Sequence, residues 1–118
     1  MRNDRSVHCR IGTVGLVLAV LCHCGPAAAD EPTPINVKIK NHRFEPAEIH
    51  VRTGKPTVLI VTNEDSTPEE FDSTALQVEK VIAGGHYATI RLRPLAPGRF
   101  PFMGEFHPDT ATGVVVSE

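Results

Sequence analysis

An all-β sandwich is the fold this sequence predicts, and three observations predict it. Short stretches alternate apolar and polar residues, and turn signals separate them at a spacing of roughly 8–12 residues. No stretch sustains a helical period. Ten prolines and nine glycines punctuate the 118 residues.

The first twenty-nine residues are set apart from that pattern. Arg2, Arg5 and Arg10 precede an apolar run from Val14 to Cys22, and Ala27-Ala28-Ala29 supplies small residues for cleavage. A basic start, an apolar core and an A-x-A site describe an export signal, which predicts a periplasmic protein. The run is shorter than the ~20 residues a membrane span needs, so the cleaved protein is not expected to span a membrane. The alternative is a lipoprotein anchor at Cys22 or Cys24. The residues before those cysteines, Leu21 and His23, are bulkier than such a site favours.

The expected organisation is a signal peptide at 1–29, a flexible leader at 30–34 and one domain at 35–118. Cleavage removes all three cysteines, Cys9, Cys22 and Cys24, and with them any disulfide or thiolate ligand. It also removes three arginines and Asp4. Nine Lys and Arg then stand against thirteen Asp and Glu, a formal net charge of −4. A mildly acidic exported domain argues against nucleic acid and suits cationic ligands.

Taken in order, Ile35, Val37 and Ile39 alternate with Asn36, Lys38 and Lys40 as a half-buried strand. Phe44, Pro46, Ile49 and Val51 follow, and Thr53-Gly54-Lys55-Pro56 is a turn. Thr57 to Thr62 is β-branched and apolar, as in a strand buried on both faces. Asn63 to Pro68 is polar and turn-rich, and a short segment surrounds Phe71. Leu76, Val78 and Val81 suggest another strand. After the turn at Ala83-Gly84-Gly85, Ala88, Ile90 and Leu92 alternate with Thr89, Arg91 and Arg93. Ala96-Pro97-Gly98 turns the chain into Phe100 and Phe102, and Val114 to Val116 closes it. Phe44, Phe71, Phe100 and Phe102 are expected in the core, with Tyr87 half-buried.

Function is expected in the stretch Phe100 to Gly113, FPFMGEFHPDTATG. It breaks at Gly104 into a loop carrying Glu105, His107 and Asp109. Imidazole and carboxylates in a loop fixed at both ends by strands make a metal site plausible chemistry. Each has a plain alternative: Glu69 and Glu70 as a solvated turn, Glu105 facing solvent, His107 capping a loop, Asp109 opening a turn. His42, His50 and His86 lack ligand spacing and read as surface residues, although His42 beside Phe44 could approach the same end.

The order of these residues resembles a cupredoxin. Phe44-x-Pro46-x-x-Ile49-x-Val51-x-x-Gly54, the strand ending in Asn63, and Phe100-x-Phe102 with His107 and Gly113 carry the resemblance, from about Ile35 to Val116. It implies a Greek-key β-sandwich. The first His position of a blue-copper site falls within Pro68-Glu69-Glu70-Phe71, the Cys position at Gly104 and the Met position near Thr110-Ala111, so only His107 matches. Without a thiolate, a blue electron carrier is not expected. The segments EEF and GEFHPDTA are similar to small periplasmic cupredoxin-like proteins and EfeO-type cupredoxin domains of bacterial iron uptake. That resemblance implies a bound copper or iron ion, with a periplasmic iron-transport protein and an iron permease as partners.

In such a fold the loops after Asn63 and after Phe102 meet at one end. The expected ligands are then Glu69, Glu70, Glu105 and His107, with Met103, Asp109 and His42 as weaker candidates. Alternation favours Glu69 facing inward with Phe71, while loop geometry could favour Glu70. Oxygen and imidazole donors without soft sulfur suit iron, copper(II), zinc or manganese and disfavour copper(I). Three functions are expected in order: a metal-binding accessory of iron uptake, a ferroxidase, and a metal-free interaction module on the same scaffold.

Overall fold

The computed structural model describes Gly25 and residues 31–118, so the expected export signal lies outside the described residues. Within them the chain forms nine strands: β1 (Ile35–Lys40), β2 (Arg43–Glu45), β3 (Glu48–Val51), β4 (Thr57–Asn63), β5 (Glu69–Ser73), β6 (Val78–Ile82), β7 (Tyr87–Leu92), β8 (Gly98–Gly104) and β9 (Thr112–Ser117). They build a four-stranded sheet, β2-β1-β4-β7, and a five-stranded sheet, β3-β9-β8-β5-β6. Both sheets are mixed, because β1 runs parallel to β4 and β3 parallel to β9. The all-β expectation holds, as a sandwich of two mixed sheets.

Alternation sets the core as a two-layer sandwich requires. Val37, Ile39, Leu59, Val61, Ala88, Ile90 and Leu92 face inward from one sheet, and Ile49, Val51, Phe71, Ile82, Phe102 and Val115 from the other. Phe71 and Phe102 stack with centroids 4.7 Å apart, and Phe44 meets both rings edge-on at 5.8 and 4.9 Å. Gly113 lies directly opposite Phe102 in the ladder. A methyl group there would collide with the Phe102 ring and with the Ala47 carbonyl 2.7 Å away, so glycine is what lets the ring lie flat.

Three details differ from the sequence expectation. The central strand β4 is fully covered on its inner face but unevenly on its outer one, where Val58 is buried while Ile60 and Thr62 keep partial exposure. In β6 the inward residue is Ile82, not Val81, since Val78 and Val81 are three apart and cannot share a strand face. Tyr87, at the start of β7, is exposed rather than half-buried.

Candidate metal centre

The inward positions of β5 read Glu69, Phe71, Ser73, and those of β8 end in Phe102 and Gly104. Phe71 pairs with Gly104, so Glu69 is the next inward side chain beyond the stacked aromatics. Its carboxylate is fully buried over the polar end of the core. Both of its oxygens are engaged. Oε1 accepts the N–H groups of Glu70 and Phe106, both at 3.0 Å, and Oε2 faces Nδ1 of His107 at 2.5 Å. A carboxylate only accepts, so His107 carries its proton on Nδ1 and leaves Nε2 as its lone pair.

His107 is held by the loop between β8 and β9. Its N–H donates to the Gly104 carbonyl, and its own carbonyl accepts from Thr110 and Ala111. These backbone bonds make the turn; Asp109, expected to open it, is exposed on its outside. Against His107 lies the ring of His42, with centroids 3.6 Å apart and planes 15° from parallel.

His42, Glu69 and His107 each offer a donor atom, and the three atoms lie within 4.8 Å of one another. The chemistry of this set fits a cation with intermediate or hard character: one carboxylate oxygen, two imidazole nitrogens and no sulfur. A cation between Glu69 and His107 would take the place of the proton on Nδ1, which then sits on Nε2, the tautomer that frees Nδ1 as a donor. Two parallel rings cannot both direct an in-plane lone pair at one point between them. His42 must therefore tilt out of the stack to complete a three-donor set.

The remaining expected ligands lie elsewhere. Glu70 follows Glu69 by one residue and so faces the opposite side of β5. Glu105 donates its N–H to the Glu70 carbonyl, which places the two residues side by side across the continued ladder. On that outer face Glu70 shares a hydrogen bond with Glu79, and Glu105 one with Asp72. These acid-to-acid contacts, reinforced by mutual repulsion, raise both carboxyls above the usual carboxylate range. Met103 also points outward, opposite Asp72, and borders a shallow cavity of about 310 Å³ with Ala75, Pro101 and Thr112. Neither Glu70, Glu105 nor Asp109 joins the three-residue cluster.

His42 was the residue hardest to place from sequence. It sits in the β1–β2 turn, where Asn41 and His42 both have positive φ, 52° and 57°. Two such residues between paired strands form the type I′ hairpin, and an Asn in first position is its usual sequence signal. Elsewhere, His50 bridges Glu48 and Glu118 at 2.9 and 2.7 Å, and His86 bonds the Gly84 carbonyl at 2.9 Å.

Residues 13–116 match the cupredoxin-like domain. The chain belongs to this family. Among relatives of the cupredoxin-like chain, an uncharacterized protein of Rickettsia prowazekii is 37% identical over 87 residues, 74% of this chain and 70% of that protein. Solved structures share the fold at lower identity. The metal-binding domain of the Streptococcus pneumoniae Cu(I)-exporting P-type ATPase CopA, with Cu(I), aligns with a TM-score of 0.65 at 16% identity, covering 78% of this chain and 91% of that one. Auracyanin A, a "blue" copper protein of Chloroflexus aurantiacus, aligns at 0.63 and 12% identity, covering 75% and 100%. An oxidized single-residue mutant of amicyanin aligns at 0.59 and 20% identity, covering 71% and 81%.

Proposed function

We propose that this cupredoxin-like protein is exported to the periplasm and binds a copper or iron cation there through His42, Glu69 and His107, as an accessory of iron uptake. The observation that carries the metal reading is the convergence of these three donors, from three separated parts of the chain, on one buried carboxylate. Solved relatives of the same fold are described as holding copper, which favours copper as the first cation to test. The donor set favours copper(II) over copper(I), because nitrogen and oxygen stabilise the higher charge. Export is supported by the basic-apolar-small pattern of residues 1–29. The iron-uptake setting, with a periplasmic iron-transport protein and an iron permease as partners, rests on the resemblance of EEF and GEFHPDTA to that group.

Titration of the purified protein with copper(II), iron(II), iron(III) and zinc(II) against a competing chelator tests the site. One cation per chain is expected, with binding lost in His107→Ala and Glu69→Ala and kept in Glu70→Ala and Glu105→Ala. Binding that survives both His107→Ala and Glu69→Ala rejects it.

A further inference from the structure

Resting on that metal reading, we propose that Asp65 is a positioning residue of the site, fixing both the place and the tautomer of His42. The Asp65 carboxylate caps the whole β1–β2 turn. Its Oδ1 accepts the Asn41 N–H at 2.8 Å, and its Oδ2 accepts the His42 N–H at 2.9 Å. A left-handed conformation is costly for a non-glycine residue, and for His more than for Asn. Two charge-assisted bonds to the successive amides offset that cost and hold the turn over His107.

The same carboxylate reaches the side chain. Oδ2 lies 3.5 Å from His42 Nδ1, on the side of the ring where only an N–H is favourable beside an anion. That favours the Nδ1–H tautomer and leaves Nε2 as the free lone pair. His42 therefore offers a cation Nε2, with Asp65 orienting the ring from behind, the arrangement that commonly tunes metal-bound histidines.

Asp65 is itself held from below. Its N–H donates to Oδ1 of Asn63 at 3.0 Å, and its carbonyl accepts the Gly85 N–H at 3.1 Å. Asn63 is fully buried, and its Nδ2 donates to the carbonyls of Thr67 at 2.9 Å and Ile82 at 3.1 Å. An amide at the end of the central strand β4 thus anchors the carboxylate that sets a turn of the edge strand. Neither Asn63 nor Asp65 hydrogen-bonds Glu69, so the hydrogen-bonded support reaches the site through His42, while the Asp65 charge also acts on His107 through space.

The experiment reads His42 by long-range ¹⁵N–¹H spectra of the metal-free protein, and copper(II) affinity by chelator competition, in wild type and Asp65→Asn. Wild type is expected to show the Nδ1–H tautomer at His42. Asp65→Asn is expected to lose that preference and to bind copper(II) about tenfold more weakly, at the lower end of the loss typical of such outer partners. A His42 in the Nε2–H form in wild type overturns the proposal without any variant. So does an affinity unchanged within about twofold in Asp65→Asn when His107→Ala abolishes binding; twofold is well below the effect expected of such partners. If wild type binds no cation, the site itself is rejected, and the tautomer still decides what Asp65 does to His42.

Discussion

The carboxylate of Glu69 fills the space a side chain at position 104 would need. A Cβ built on Gly104 lies 2.6 Å from Cδ and 2.8 Å from Oε1 of Glu69, and 2.6 Å from Cβ of Ala111. Glycine at the end of β8 and an inward glutamate on β5 are therefore two halves of one arrangement.

Gly104→Ala should destabilise the protein by about 1–3 kcal/mol, the usual cost of overpacking a buried position. Urea denaturation measures it. Combined with Glu69→Ala, the cost should be less than the sum of the two single changes, because the carboxylate half of the collision is gone. Additive costs would mean that the two side chains do not share the space.

Glu69 has separable structural and chemical roles. Glu69→Ala leaves the N–H groups of Glu70 and Phe106 without their side-chain acceptor, and should cost about 1–3 kcal/mol. Glu69→Gln keeps an oxygen for those amides but turns an NH₂ toward His107 Nδ1. It should melt closer to wild type than Glu69→Ala does, yet lose cation binding nearly as completely. Melting curves and copper(II) titration on the same three proteins check both halves.

The outer acidic face should make stability depend on pH. Glu70 and Glu105 have folded-state carboxyls raised by hydrogen bonds to Glu79 and Asp72. A raised carboxyl binds protons more tightly in the folded state, so its contribution is most favourable below the ordinary value and is lost as pH rises through the folded one. Glu105→Gln should therefore melt higher than wild type at pH 7. The difference should shrink as pH falls toward about 4.3, the ordinary glutamate value. An advantage that grows on acidification would contradict the acid-to-acid contacts.

His50 should add a second pH dependence, in a window nearer neutrality. Its hydrogen bond to Glu118, helped by Glu48, raises its folded-state value above the ordinary one. That contribution is complete below the unfolded value of about 6.5 and disappears as pH rises through the folded value. His50→Gln should lower the melting temperature at pH 5.5 and leave it nearly unchanged at pH 9. Cation binding should be unaffected at either pH, since His50 lies outside the His42–Glu69–His107 cluster.

Alternation in the sequence was enough to determine the two-layer β fold and to place most of its strands along the chain. It also favoured Glu69 over Glu70 as inward, because a strand with Phe71 on its buried face turns residue 69 the same way. The same rule sends Glu70 to the other face, and extending the β5–β8 pairing by one step carries Glu105 with it. Local pattern left that choice open, since it shows neither where the strand begins nor the register of its partner. His42 was decided only by tertiary structure. Its neighbours in sequence carry no ligand spacing, and its meeting with His107 depends on a left-handed turn held by Asp65, twenty-three residues downstream. Strand periodicity is a property of adjacent residues, whereas a site at the end of a sandwich is assembled from loops whose meeting point is fixed by the packing of both sheets.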